Sequence, residues 1–238
     1  MRVGASIIIK NGVAVQSYGW NLLRPLGDLQ SVLNSLDEYE CDEITVIRYA
    51  RLEDEVDTYN ADIKVLANCT TLSPLSFGGG IRSLGDLKKL HHLPVERIIF
   101  CSAALEGNYS LIEEASTLFG RQAIQCLIPI TYNRNEVKAF IPSQNKIIEV
   151  VDIDFKRFDS LFNEIIIYDT RADGFKNRFS FEALRSIKFP LYRTILMGGI
   201  GIDIIKRAKA EGVAAVSIDN RVLHKEYSIS EIKKHGLL

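Results

Sequence analysis

Two glycine clusters set half a chain apart constrain this sequence more than any other feature. Ser76-Phe77-Gly78-Gly79-Gly80-Ile81-Arg82 and Leu196-Met197-Gly198-Gly199-Ile200-Gly201 each follow an apolar, strand-like run and open a helix-like one. A glycine turn between strand and helix lets backbone N–H groups approach an anion, with the positive helix end behind it. Two such turns at half-chain spacing predict a duplicated half-barrel gripping a ligand with a phosphate at each end. Tight strand-to-helix turns, in which glycine only relieves strain, are the plainer alternative.

The rest of the chain alternates in the same way. Apolar runs at Val3–Ile9, Glu43–Tyr49, Leu72–Phe77, Arg97–Cys101, Ala123–Pro129, Ile165–Asp169, Thr194–Met197 and Ala214–Ile218 read as parallel strands covered on both faces. Helical patterns lie between them near 29–38, 52–67, 83–91, 108–119, 155–163, 181–188, 202–211 and 228–235. Asn108 is placed to cap one of these helices, and Ser228 or Ser230 to begin the last. Eight strands alternating with eight helices predict an α/β fold, a (β/α)8 TIM barrel with a twofold half-barrel repeat. Residues 1–238 then form a single domain. A doubly wound open sheet is the alternative, though it rarely uses eight such regular units. Two hairpin signals interrupt the alternation at equivalent points of the halves: Lys10-Asn11-Gly12-Val13, and Tyr132-Asn133-Arg134-Asn135-Glu136.

Bulk properties exclude more than they assign. Hydrophobic residues make up 47% and charged residues 25%, as in an ordinary globule with a full core. A net charge of −1 gives no support for a nucleic-acid surface. No apolar run is long enough to span a bilayer, and no signal peptide is recognisable, so the expected compartment is the cytoplasm. Cys41, Cys69, Cys101 and Cys126 lack metal-ligand or redox spacing, and His91, His92, His224 and His235 form no ligand pattern. Neither a metal nor a cofactor is expected.

In a barrel of this kind the strand C-termini and the loops after them face the ligand. Those positions hold Ile8, Arg48, Gly79 and Gly80, Ser102, Pro129, Asp169, Arg171, Asp173 and Gly174, Gly198 and Gly199, and Asp219 and Asn220. Ser102 beside the first glycine cluster, and Asn220 beside the second, would complete composite phosphate sites. Asp173-Gly174 reads either as an ordinary turn or as a carboxylate for ligand hydroxyls or proton transfer. Arg48 and Arg171 predict a basic mouth, suited to an anionic ligand.

These motifs carry a resemblance to a known family. Arg2-Val3-Gly4-Ala5 with Lys10-Asn11-Gly12, the run Phe77-Gly78-Gly79-Gly80-Ile81, and Ser102-Ala103-Ala104-Leu105-Glu106 with Phe119-Gly120-Arg121-Gln122-Ala123 are similar to the cyclase subunit of imidazole glycerol phosphate synthase. Asp173-Gly174 and Gly198-Gly199-Ile200-Gly201 extend the likeness over essentially the whole chain. The isomerase preceding that enzyme in histidine synthesis shares the glycine clusters, but the Phe-Gly-Arg-Gln block favours the cyclase. The resemblance implies a lyase-family barrel that binds a bisphosphate ribonucleotide. It further implies ammonia supplied by a glutaminase subunit docked on the opposite face.

One departure stands out. The family's general acid and base are aspartates near the ends of strands one and five, and the matching positions here are Ile8 and Pro129. The family's strand-two aspartate is Arg48, and its acidic strand-six loop reads Arg171-Ala172-Asp173-Gly174-Phe175. Any proton transfer would then fall to Asp169, Asp173 or Asp219. The four charges ringing the family's ammonia entrance keep their sign as Arg2, Glu43, Arg97 and Glu164, although charged strand starts are also common solvated groups. Glu96 and Gln122 would lie on the surface facing the glutaminase. The resemblance therefore implies a divergent paralogue that docks a glutaminase and channels ammonia. Its acceptor would be a separate amidotransferase in amidino-sugar synthesis for surface polysaccharide. An active cyclase with relocated acid/base residues, and a phosphate-ligand binding protein without turnover, are the alternatives; whether the chain is an enzyme is left open.

Overall fold

The computed structural model describes residues 1–51, 56–133, 136–219, 223 and 233, with the side chains of 56, 57 and 133 left aside. The first half of the chain runs β1 (Arg2–Lys10), β2 (Val13–Tyr18), β3 (Leu22–Gly27), α1 (Leu29–Glu38), β4 (Ile44–Arg48), α2 (Val56–Ala67), β5 (Leu75–Gly78), α3 (Leu84–Leu90), β6 (Arg97–Phe100), α4 (Ser102–Leu105) and α5 (Tyr109–Phe119). The second runs β7 (Ile124–Asn133), β8 (Glu136–Ile141), β9 (Lys146–Glu149), α6 (Phe155–Leu161), β10 (Glu164–Asp169), α7 (Glu182–Ser186), β11 (Thr194–Met197), α8 (Ile202–Ala210) and β12 (Ala215–Ile218).

Eight parallel strands close on themselves in the order β1-β4-β5-β6-β7-β10-β11-β12, with β12 pairing back to β1. This is a (β/α)8 barrel, and each of the eight expected strands is a barrel stave. Strand periodicity splits the apolar residues into two cores. Outward-facing Ile7, Ile9, Val46, Phe77, Phe100 and Ile167 pack with the helices. Inward-facing Ile8, Ile47, Ile99, Leu127, Ile166, Tyr168, Ile195 and Met197 fill the upper lumen.

Both hairpins form, and each grows a further strand that the turn signals do not announce. Asn11 and Gly12 take φ of 52° and 78°, the doubly positive pair of a type I′ turn, joining β1 to β2. β3 then pairs with β2, and β9 with β8. Both additions stand on the strand-end face of the barrel. Helix boundaries differ in detail. α7 is shorter than the 181–188 pattern, and β6 stops at Phe100, so that Ser102 opens the one-turn α4 rather than ending a strand. Asn108 occupies the cap position of α5 without capping it; its Oδ1 accepts from the Ser110 hydroxyl at 3.1 Å. The helix expected at 228–235, with Ser228 and Ser230, lies outside the described residues.

Candidate functional site

At the strand-start end, four charges meet across the lumen. Arg2 Nε donates to Glu43 Oε2 at 3.0 Å and its Nη2 to Glu164 Oε1 at 2.5 Å, while Arg97 Nη1 reaches Glu43 Oε2 at 3.4 Å. Gly4 makes room for this arrangement, because a Cβ there would lie 2.7 Å from Glu43 Cγ. Gln125 joins the collar by donating from Nε2 to Glu164 Oε2 at 3.0 Å. Burial pushes the Glu43 carboxyl up against the pull of Arg2 and Arg97. Glu43 Oε1 and Gln125 Oε1 are buried with no hydrogen-bond donor among the described residues. Glu96 and Gln122 are exposed at this same end, and so are Leu72 and Tyr192 at 94% and 72%.

At the opposite end, a cavity of about 390 Å³ opens over the first glycine turn. Gly79 and Gly80 take φ of 106° and 81°, and a Cβ on either would strike Arg48, at its carbonyl oxygen (2.3 Å) and at Nη1 (2.6 Å) respectively. Glycine is thus required twice over, by backbone conformation and by close approach. Ser102 and the backbone of the turn form one wall, and the β8–β9 tip forms another, with the Ser143 N–H donating to Ser102 Oγ at 3.2 Å. The cations lining it are Arg48, Arg51 and Arg82. Arg51 stacks over Tyr49 (3.8 Å) and donates to the Trp20 carbonyl at 3.0 Å, and Arg82 donates to the Arg51 carbonyl at 3.2 Å.

Arg48 and Arg171, the two cations expected at the mouth, differ in their surroundings. Arg48 is buried against Asp62 (Nε to Oδ2, 2.6 Å) and donates to Thr58 at 2.7 Å, so its charge is balanced. Arg171 lies exposed over the Tyr132 ring at 5.2 Å.

The candidate carboxylates serve the loops that cover the barrel. Asp169 accepts from the Tyr132 hydroxyl and from the N–H groups of Arg171, Ala172 and Ser180. Asp173 accepts from the Trp20 N–H at 3.0 Å and the Tyr168 hydroxyl at 2.7 Å, and its own carbonyl holds Gly19 N–H at 3.0 Å. It therefore pins the β2–β3 turn, whose Trp20 ring packs 5.1 Å from Tyr168 and lines the cavity. Asp219 is buried at the end of β12. None of the three lines the cavity; the acidic residue that does is Glu106, bound to the Ser143 hydroxyl. No described group of His, Cys, Asp and Glu is arranged to hold a metal ion. Cys101, which also lines the cavity, has its thiol pushed up to about 12 by burial and stays protonated.

Burial lifts the Asp173 carboxyl to about 6. Between pH 4 and 6 the native chain then holds a proton that the unfolded chain, with its ordinary carboxyl, has released. Stability linked to this group is complete below pH 4 and declines as pH rises through 6, by about 3 kcal/mol in all. Denaturant titrations of wild type and Asp173→Asn at intervals from pH 4 to 8 are expected to diverge in that sense, with the flatter profile in the variant. Parallel profiles would show that Asp173 is not the titrating group.

The second glycine turn has different surroundings. Gly174 is packed under Tyr18, whose Cδ1 lies 2.5 Å from where a Cβ would be. The Arg178 N–H donates to the Gly199 carbonyl at 3.0 Å, and Asn177 Nδ2 donates to Asp203 Oδ2 at 2.7 Å in the first turn of α8. Asn220 lies outside the described residues.

Sequence reading passed over Trp20, Gln125, Arg51 and Asp62. A lone polar residue inside the apolar run Ile124-Gln125-Cys126 was the available signal for Gln125. Nothing local marks Asp62 as the partner of Arg48.

Comparison with known proteins adds to this geometry. A family model described as "Histidine biosynthesis protein" matches residues 2–228. The chain is 27% identical to the imidazole glycerol phosphate synthase subunit HisF of Staphylococcus epidermidis, over 98% of this chain and 94% of the relative. It is 24% identical to a Vibrio vulnificus protein provisionally named imidazole glycerol phosphate synthase subunit hisF2, over 96% of this chain and 85% of that one.

Proposed function

The chain belongs to the histidine-biosynthesis protein family, and from that premise we propose that it is a barrel that relays ammonia without closing an imidazole ring. In this reading a glutaminase subunit docks on the strand-start face, around the exposed Glu96, Gln122, Leu72 and Tyr192. Ammonia released there passes the collar of Arg2, Glu43, Arg97 and Glu164. Its acceptor belongs to a separate amidotransferase, in the amidino-sugar chemistry of surface polysaccharide. The first glycine turn, with Gly79, Gly80, Ser102, Arg51 and Arg82, holds a phosphorylated small molecule.

One contrast carries the proposal. The collar is joined by hydrogen bonds at one end of the barrel, whereas the family's acid/base positions at the other end hold Ile8 and Pro129, both buried and without a titratable group. The lone pairs of Glu43 Oε1 and Gln125 Oε1 suit a small N–H donor crossing the collar. Ser6, Thr45, Ser76 and Ser217 supply further buried hydroxyls along the inner wall.

The test is reconstitution with a glutaminase-like protein co-expressed from the same genome. Glutamine hydrolysis is expected to rise about tenfold or more in the complex, the size of an ordinary coupling between two sites. Glu164→Gln is expected to leave the complex assembled while weakening that stimulation, since it breaks the link from Arg2 to Gln125. A barrel that binds no such partner and leaves hydrolysis unchanged sinks the proposal. It would leave the cavity over the first glycine turn as the basis for the second reading, a phosphate-ligand binding protein without turnover.

A further inference from the structure

We propose that Gln125 is a working part of the collar: its amide nitrogen holds Glu164 away from Arg97, and its carbonyl oxygen is the acceptor on which ammonia lodges as it enters the lumen. This rests on the ammonia-relay reading above. It goes beyond that reading by giving the passage a point of attachment and a positioning residue that keeps it open.

Gln125 is a neutral amide set among charges. It stands on β7 in register with Glu164 on β10 and with Ile99 on β6. Two residues further along β7 comes Leu127, which joins Ile99 and Ile166 in the apolar filling of the lumen. An apolar side chain of similar length would continue that filling at position 125 without burying a polar group. Instead an amide lies there at 1% exposure, and its Oε1 meets no donor among the described residues. A buried carbonyl left without a donor destabilises a fold, so one that is kept calls for an occupant.

Ring order gives this amide its place. β7 lies between β6 and β10 in the barrel, so Gln125 is interposed between Arg97 and Glu164. Both oxygens of Glu164 are taken, Oε1 by Arg2 Nη2 at 2.5 Å and Oε2 by Gln125 Nε2 at 3.0 Å. Arg97 is left with Glu43, its Nη1 reaching Oε2 at 3.4 Å. Among the described residues the chain of ion pairs therefore runs Glu164–Arg2–Glu43–Arg97 and stops. The joint between its two ends is the amide. Glu43 Oε1, beside the Arg97 end, is also buried without a donor. Carbonyl and carboxylate oxygens accept and do not donate, so what suits this interrupted ring is a small molecule rich in N–H groups and not an anion.

The test follows the Gln125 side-chain amide of the full chain by 1H–15N correlation spectroscopy, with the resonance checked by its loss in Gln125→Met. Ammonium chloride is expected to shift it saturably, while sodium chloride and tetramethylammonium chloride at matched ionic strength leave it in place. A resonance that ignores ammonium, or follows all three salts alike, would overturn the lodging site. The crystal structure of Gln125→Met is expected to show Glu164 released from its second bond and paired with Arg97, within about 4 Å. Glu164 unmoved in that variant would overturn the positioning role. A barrel that stimulates no glutaminase, yet whose Gln125 amide answers to ammonium, would defeat the relay reading and leave the site. Stimulation in wild type with neither response at Gln125 would defeat this inference alone.

Discussion

Given the family's bisphosphate ribonucleotide and free ammonia, this barrel is expected to form imidazole product at least about 10⁴-fold more slowly than a cyclase with both aspartates in place. Each properly placed general acid or base typically contributes ~10²–10⁴-fold, and the family resemblance places Ile8 and Pro129 at both of those positions. Ile8 and Pro129 cannot exchange a proton, and Ile8 belongs to the apolar plug of the upper lumen. Nor do neighbouring carboxylates replace them. Asp169 is engaged by three donors of the strand-six loop and by Tyr132, and Asp173 is turned under the hairpin by Trp20 and Tyr168. Trp20 thus stands between Asp173 and the cavity, so the Asp173 carboxyl, raised to about 6, lacks the access that general acid–base work requires. Chromatographic quantification of product over hours, with ammonia saturating, checks this. Turnover within about tenfold of an intact cyclase, lost in Asp173→Asn, would mean that the chemistry has moved rather than vanished.

The barrel was legible because its signals are local and repeated. Continuous apolar runs such as Thr194–Met197 can hardly be anything but staves once helices alternate with them, and Asn11-Gly12 dictates its turn by backbone conformation alone. The third strands β3 and β9 were not legible. β3 reads Leu22-Leu23-Arg24-Pro25-Leu26-Gly27, mostly exposed and broken by proline, and it exists only because β2 offers it a pairing edge. Charges at the collar were placed by the family resemblance, which matched them to strand starts, and the inward register of each stave then brings them together.

Partner choice at the mouth followed no such rule. Arg48 looked like an exposed cation until α2 brought Asp62 against it, and Asp173 looked like a site carboxylate until the hairpin tip folded over it. The two glycine turns show the same limit, being alike in sequence. What differs between them is the packed neighbour: Ala172 and Phe179 after β10 lie against Gly199, whereas Arg48, Tyr59 and Ala50 lie against Gly80. Similarity of motif therefore fixes where the turns stand, and non-local packing decides what lies against each.

Replacing Arg48 by methionine is expected to cost about 3–5 kcal/mol of stability, the usual result of stripping one partner from a buried ion pair. Both side chains of the pair are 1% exposed and meet at 2.6 Å. Asp62 would keep its bond from the Gly12 N–H at 2.5 Å but lose the charge that makes ionisation tolerable inside the barrel wall. For a chain of this size the loss corresponds to roughly 6–20 °C in the thermal midpoint. The double variant Arg48→Met with Asp62→Leu is expected to recover most of it, because two apolar groups of similar bulk leave no buried charge. Recovery should fall short by about 0.5–1.5 kcal/mol, the net worth of the Gly12 N–H bond at the part-exposed β1–β2 turn. The guanidinium also lies against the first glycine turn, 2.6 Å from where a Gly80 Cβ would be, so both variants should bind inorganic phosphate more weakly than wild type. Denaturant unfolding of the three proteins, with phosphate titrations alongside, checks both halves. A single variant within about 1 kcal/mol of wild type would mean that the pair is an accident of packing rather than the element that holds α2 beneath the turn.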